Sequence, residues 1–206
     1  MNKSIKVIAY VDGFNLYHGL KEMNWRRYYW LDIPKLCRHL LEPGQHLLYV
    51  KYFTSHIKGP DDKRKRQSTY LEALNTLHGM KLYYGKYQLT PTECPKCNYR
   101  YDSPEEKMTD VQLATQLVAD ALTKKFDTAL LLSGDIDLLP AVEVVREECP
   151  AKRIIAVFPP KRYCDEVKKA VHGYLHVTEQ SLQVSLLPKE VPKVGGYILR
   201  CPLHWH

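Results

Sequence analysis

Three stretches of the 206-residue sequence put carboxylates where an apolar run gives out or on a helix that leads into the next such run. They are Val11-Asp12-Gly13-Phe14-Asn15, Thr109-Asp110-Val111 and Leu132-Ser133-Gly134-Asp135-Ile136-Asp137. Aspartates gathered in one crevice repel each other and raise one another's pKa, a cost that a divalent cation removes. An all-oxygen ligand set suits Mg2+ or Mn2+. Such a cation polarises a phosphodiester, acidifies a bound water and stabilises the leaving oxygen, so the chemistry indicated is phosphodiester hydrolysis. Any one of these aspartates is read first as a turn or helix-cap residue, the commoner use of Asp after a strand. Their recurrence at two strand ends is what favours chemistry. A phospho-aspartyl phosphatase is disfavoured, because Phe14 stands where a second acid is expected.

The elements that must position these residues follow from periodicity. Apolar, β-rich runs over 6–11, 46–53, 81–87, 128–132 and 153–158 predict strands. A helix is expected over 103–124, where Val111, Ala114, Leu117, Val118, Ala121 and Leu122 form an apolar stripe behind a Ser-Pro-Glu-Glu start. Strands alternating with helices imply parallel pairing and an open α/β sandwich. Ligands bind such sheets at the carboxyl ends of strands, where the connections switch sides. That places Asp12, Asp135, Asp137 and Ser133 at one edge, Asn15 facing the same space, and Asp110 on the helix leading into the fourth of these strands.

Three further groups of residues invite a role. Lys63-Arg64-Lys65-Arg66, with Lys58 upstream, suits phosphate contacts in a substrate, and equally a solvated loop or helix start. Tyr28, Tyr29 and Trp30, or Tyr83, Tyr84 and Tyr87, are candidates for stacking on unpaired bases, against the commoner use of aromatics as core. Cys94-Pro95-Lys96-Cys97 has the spacing of a metal knuckle. If the tail folds back, Cys201 and His204 complete a structural Zn2+ site with Cys94 and Cys97; otherwise these are reduced surface thiols.

Hydrophobic residues make up 45% of the sequence, enough for one sizeable domain, and the net charge of +7 favours a polyanionic partner. The expected organisation is a domain over 1–185 with a cysteine-containing loop at 90–101, followed by a tail over 186–206. The N-terminal apolar run is too short for a signal-peptide core and no run of 18 apolar residues occurs, so a cytoplasmic protein without membrane partners is expected. Six cysteines without a secretory signal read as thiols or ligands rather than a disulfide framework.

Taken together, Tyr10-Val11-Asp12-Gly13-Phe14-Asn15-Leu16-Tyr17, Glu106-Lys107-Met108-Thr109-Asp110-Val111 and Leu132-Ser133-Gly134-Asp135-Ile136-Asp137 resemble the motifs of the NYN domain. This is a branch of the PIN-like nuclease superfamily that includes the LabA-like bacterial proteins. The resemblance spans about residues 5–180 and keeps the motif order. It implies a PIN-like three-layer α/β/α sandwich and a Mg2+- or Mn2+-dependent nuclease acting usually on RNA. Asp12, Asp110 and Asp135 would be its core acids, with Asp137, Asn15 and Ser133 assisting and Glu106 second in rank. Thr109-Asp110-Val111 departs mildly from the usual Val-Asp-Val pattern and keeps the acid. Two alternatives stay open: a nucleic-acid-binding or regulatory protein without turnover, and a DNA-cutting nuclease with the same site. Nothing in the sequence reads a 2′-hydroxyl, an oligomeric state or endo- against exonucleolytic action.

Overall fold

The computed structural model describes residues 4–205, the side chains of Leu89 and of 102–106 excepted. The chain runs through β1 (Ile5–Asp12), α1 (Gly13–Glu22), a 3-10 turn (Arg26–Tyr28), α2 (Ile33–His39), β2 (Gln45–Thr54), α3 (Asp61–Asn75) and β3 (Met80–Tyr84). A hairpin of β4 (Lys86–Glu93) and β5 (Arg100–Lys107) leads into α4 (Thr109–Leu122), β6 (Thr128–Leu132), a second 3-10 turn (Ile136–Leu138) and α5 (Leu139–Glu148). Then come β7 (Arg153–Phe158), α6 (Asp165–Ala170), β8 (Gly173–His176), α7 (Glu179–Gln183), β9 (Glu190–Pro192), β10 (Ile198–Arg200) and a third 3-10 turn (Leu203–Trp205).

Six strands form one sheet in the order β3-β2-β1-β6-β7-β8, every neighbouring pair parallel. The expected α/β sheet is therefore present. Its middle strands are buried on both faces, which is why Lys6–Val11 and Thr128–Leu132 read as nearly continuous apolar runs. Alternation still divides them: Val7, Ala9, Val11, Leu130 and Leu132 pack with α1, α2, α3 and α7 on one face. Ile8, Tyr10, Ala129 and Leu131 pack with α4 and α5 on the other. The order of strands reverses between β1 and β6, so the crevice at their carboxyl ends is the topological switch point.

Two boundaries differ from the sequence reading. The helix expected from residue 103 begins at Thr109, because residues 103–107 pair with β4 as part of β5. Met108, in the left-handed conformation at φ 83°, turns the chain from that hairpin into α4. The buried face of α4 is Leu113, Leu117, Asp120 and Ala121; Val111 and Leu122, expected in the stripe, are 70% and 53% exposed. The run over 81–87 is likewise broken at Gly85, where β3 ends and the chain leaves the sheet for the hairpin. The tail forms the β9-β10 ribbon, burying Val191 and Leu199 in the α1–α3 face. Among the described residues, no helix is long and apolar enough to cross a membrane.

Candidate metal centre

The register of the sheet builds the centre. Val11 is paired with Leu132, so the next residues along the two strands, Asp12 and Ser133, leave the sheet side by side. Ser133 Oγ donates to Asp12 Oδ2 at 3.0 Å and accepts from the Asp135 amide at 3.1 Å. Asp12 Oδ1 accepts from the Asn15 amide at 2.9 Å, capping α1, and Asp135 Oδ1 accepts from the Asp137 amide at 3.0 Å, capping the following 3-10 turn. Each cap uses one oxygen, so the turn-forming role of these aspartates coexists with a free lone pair for a ligand. Asn15 Oδ1 accepts from the Gly134 amide at 3.1 Å, which ties the two strand-end loops together.

Two glycines permit this closeness. A Cβ on Gly134 would lie 1.7 Å from the carbonyl oxygen of Arg162, and one on Gly13 would lie 2.7 Å from the Tyr52 hydroxyl. In both places the turn is pressed against neighbouring backbone as well, the Arg162 carbonyl at Gly134 and the Phe53 carbonyl, 2.8 Å away, at Gly13.

Asp110, in the first turn of α4, approaches from the other side. One carboxylate oxygen from each of Asp12, Asp110 and Asp135 lies within 4.8 Å of the others, the one such group of three His, Cys, Asp or Glu among the described residues. Asp12 is buried, and burial above all pushes its carboxyl up to about 7 against the hydrogen bonds from Asn15 and Ser133, with the charges of Asp110 and Asp135 adding to the rise. Asp110 is raised too, by burial and then by Asp135 and Asp137. Three hard oxygen donors held this close together form a donor set that fits a divalent cation. Asp137 is exposed at the rim of this group. The side chain of Glu106 lies outside the described residues.

The four basic residues separate. Lys63 and Arg66 line a cavity of about 450 Å3 between α1 and α3, whereas Arg64 and Lys65 face a shallower depression with Asp61 and His56. Of the aromatics proposed for stacking, Tyr29 and Tyr87 line the cavity. Tyr28 and Trp30 are buried, Tyr83 stacks on Phe53, and Tyr84 stacks on His56. Sequence reasoning passed over the cavity because its other rings, Phe14, Tyr17, Tyr52, Tyr70 and Trp205, come from distant segments.

The zinc expectation is corrected. The tail does fold back, but onto the 3-10 turn at Arg26–Tyr28: His204 Nε2 meets Arg26 Nη1 at 3.3 Å, and Cys201 packs on the apolar face. Cys94 and Cys97 sit at the tip of the β4-β5 hairpin, and the four ligands do not gather into a site. All six cysteines are free.

The model of the NYN domain matches residues 6–178. Among curated proteins the chain is similar to 6-hydroxy-3-succinoylpyridine 3-monooxygenase HspA of Pseudomonas putida. The two are 27% identical over 232 aligned positions, covering 93% of this chain and 73% of that protein. Among solved structures it is similar to a protein of unknown function from Vibrio parahaemolyticus, with a TM-score of 0.58, 15% identity and coverage of 91% of this chain and 99% of that one. At that identity the likeness is one of fold.

Proposed function

Because this chain belongs to the NYN domain family, within the PIN-like nuclease superfamily, we propose that it is a metal-dependent nuclease hydrolysing phosphodiester bonds, with RNA as its substrate. The observation that carries this reading is the convergence of Asp12, Asp110 and Asp135 at the switch point of the sheet. Their carboxylates would hold Mg2+ or Mn2+, which supplies the positive charge that polarises a phosphodiester and acidifies a water.

The residues of the chain have distinct parts in this scheme. Ser133 and the Asn15 amide fix the Asp12 carboxylate, leaving it one rotamer in which to meet a ligand. The Asn15 carbonyl is occupied by Gly134, so its amide nitrogen is the atom that faces a phosphate oxygen or water. Asp137, beside Asp110, adds negative charge at the rim and is placed to accept a proton from an incoming water. Lys63 and Arg66, with Arg64 and Lys65 on the adjoining side of α3, hold the flanking backbone.

Cleavage of labelled single-stranded RNA, structured RNA and single-stranded DNA in Mn2+, in Mg2+ and in EDTA tests the proposal. Wild-type protein is expected to cut RNA only with metal, and Asp12→Asn and Asp135→Asn each to lose at least about 100-fold in rate, the scale of removing one electrostatic contributor. Wild-type rates in both variants would sink it. Metal-dependent binding with no cutting by any preparation would favour a regulatory protein.

A second reading rests on the monooxygenase relative and on the aromatic-lined cavity: hydroxylation of a small aromatic acid such as 6-hydroxy-3-succinoylpyridine. Oxygen uptake with that substrate and a reduced nicotinamide or flavin donor distinguishes it; no uptake above the protein-free rate removes it.

A further inference from the structure

The cavity between α1 and α3 adjoins the aspartates without including them. Gly13 and Phe14, the two residues that follow Asp12, form part of its wall, so the cavity begins at the first turn of α1, which Asp12 caps. Its volume of about 450 Å3 falls in the range of small-ligand sites, roughly 300–1,000 Å3. Rings line it in series: Tyr17 and Tyr29 have centroids 5.1 Å apart, Tyr29 and Trp205 5.7 Å, and Phe14 meets Tyr87 edge-on at 6.3 Å.

Charge is as one-sided as shape. Lys21, Arg26, Lys58, Lys63 and Arg66 line the cavity, and among the described side chains no Asp or Glu does. Arg66 is engaged with Asp62 at 2.7 Å, but Lys21, Lys58 and Lys63 have no ion-pair partner among the described residues. An apolar, ring-lined interior selects a planar aromatic group, and a rim of unpaired cations selects an anion attached to it. Several cations spread over two helices and a loop suit successive phosphates better than one carboxylate.

We propose that this cavity seats the base of an unpaired nucleotide, with Lys58, Lys63 and Arg66 on its phosphate, and so makes single-stranded nucleic acid the class of substrate presented to the aspartates. The proposal rests on the nuclease reading for its location. A base enters only when unstacked and unpaired, so a duplex is excluded at this point on the surface. Ring stacking tolerates every base, and the cavity confers strand state rather than sequence.

Binding in EDTA, read by isothermal titration calorimetry at low salt, tests this apart from any cutting. The probes are AMP, UMP, adenosine, ribose 5-phosphate and benzoate, with a single-stranded and a duplex RNA of equal length. AMP and UMP are expected to bind at least about tenfold tighter than ribose 5-phosphate, adenosine or benzoate, since each stacked base contributes on that scale. Single-stranded RNA should likewise exceed duplex. Tyr17→Ala, at a 41% exposed ring and checked as folded by circular dichroism, should erase the advantage of AMP over ribose 5-phosphate, and Lys63→Ala the advantage of AMP over adenosine. Equal binding of ribose 5-phosphate and AMP, benzoate in place of the nucleotides, no binding of any probe, or unchanged affinities in both variants would overturn the proposal. Since metal and turnover play no part, a negative result here leaves the cutting experiment to stand on its own, and the converse.

Discussion

Ser133 is fully buried, and its hydroxyl holds Asp12 with one hydrogen bond and the Asp135 amide with another. The next residue, Gly134, lets the loop lie against the Arg162 carbonyl. Gly134→Ala is expected to force that backbone apart, destabilising the fold by roughly 1–3 kcal/mol and displacing Asp135. Urea unfolding together with Mn2+ binding checks both halves; a variant as stable as wild type with unchanged metal affinity would contradict them. At this scale the sequence was informative because Asp-Gly and Gly-Asp-x-Asp mark turns and the turns fall on adjacent strands. It said less of Asn15, whose carbonyl is spent on Gly134, a bond between positions 119 residues apart that no local pattern signals.

Helix α4 illustrates what periodicity alone leaves out. Asp120 lies on its apolar face, buried, where it accepts from Tyr10 Oη at 2.7 Å, pairs with Lys51 of β2, and receives Lys125 Nζ at 3.0 Å. Gln116 Oε1 accepts from Lys51 at 2.6 Å, so the buried ammonium is bonded twice. A carboxylate among apolar positions reads as a break in the stripe until its cation, far away in sequence, is seen across the sheet. The start of α4 is set the same way: Ser-Pro-Glu-Glu looks like a helix start, yet pairing with β4 claims those residues first. Asp120→Ala leaves Lys51 buried without its counter-charge and is expected to cost roughly 3–5 kcal/mol. Burial by itself would raise the Asp120 pKa, but the bonds from Lys51, Tyr10 and Lys125 more than offset it and hold the carboxyl below its usual range. The folded state thus binds fewer protons at this site than the unfolded one, and its contribution is complete above the unfolded carboxylate range and lost as pH falls below about 4. Acid unfolding followed by circular dichroism should show a stability loss over that interval in wild type that is smaller in Asp120→Asn. Parallel curves for the two would refute the assignment.

Over the whole molecule, the parallel sheet and its switch point were readable because buried strands are continuous apolar runs and the helices alternate with them. The tail ribbon, the short β8 and the ring-lined cavity were not, since each depends on segments that meet only after folding. The same holds for the zinc set: knuckle spacing is local, but whether the tail's Cys201 and His204 reach it is a tertiary matter, and they pack elsewhere. A net charge of +7 proves nothing by itself, but Lys58, Lys63 and Arg66 concentrate some of it at the cavity beside the acids. RNA binding should therefore weaken with salt, and Lys63→Ala should reduce the slope of log K against log salt by about 0.7, the contribution of one phosphate contact on a single strand. An unchanged slope would remove Lys63 from the interface.

The central claim is that Asp12, Asp110 and Asp135 together support metal-dependent phosphodiester hydrolysis. Its most direct test is the single-turnover rate of RNA cleavage as a function of Mn2+ concentration for wild type, Asp12→Asn and Asp110→Asn, each verified as folded by circular dichroism. A saturable Mn2+ dependence is expected in wild type, with at least about 100-fold slower cutting in both variants at saturating metal. Cleavage by folded Asp12→Asn and Asp110→Asn at the wild-type rate, or cleavage by wild type that persists in EDTA, would contradict it.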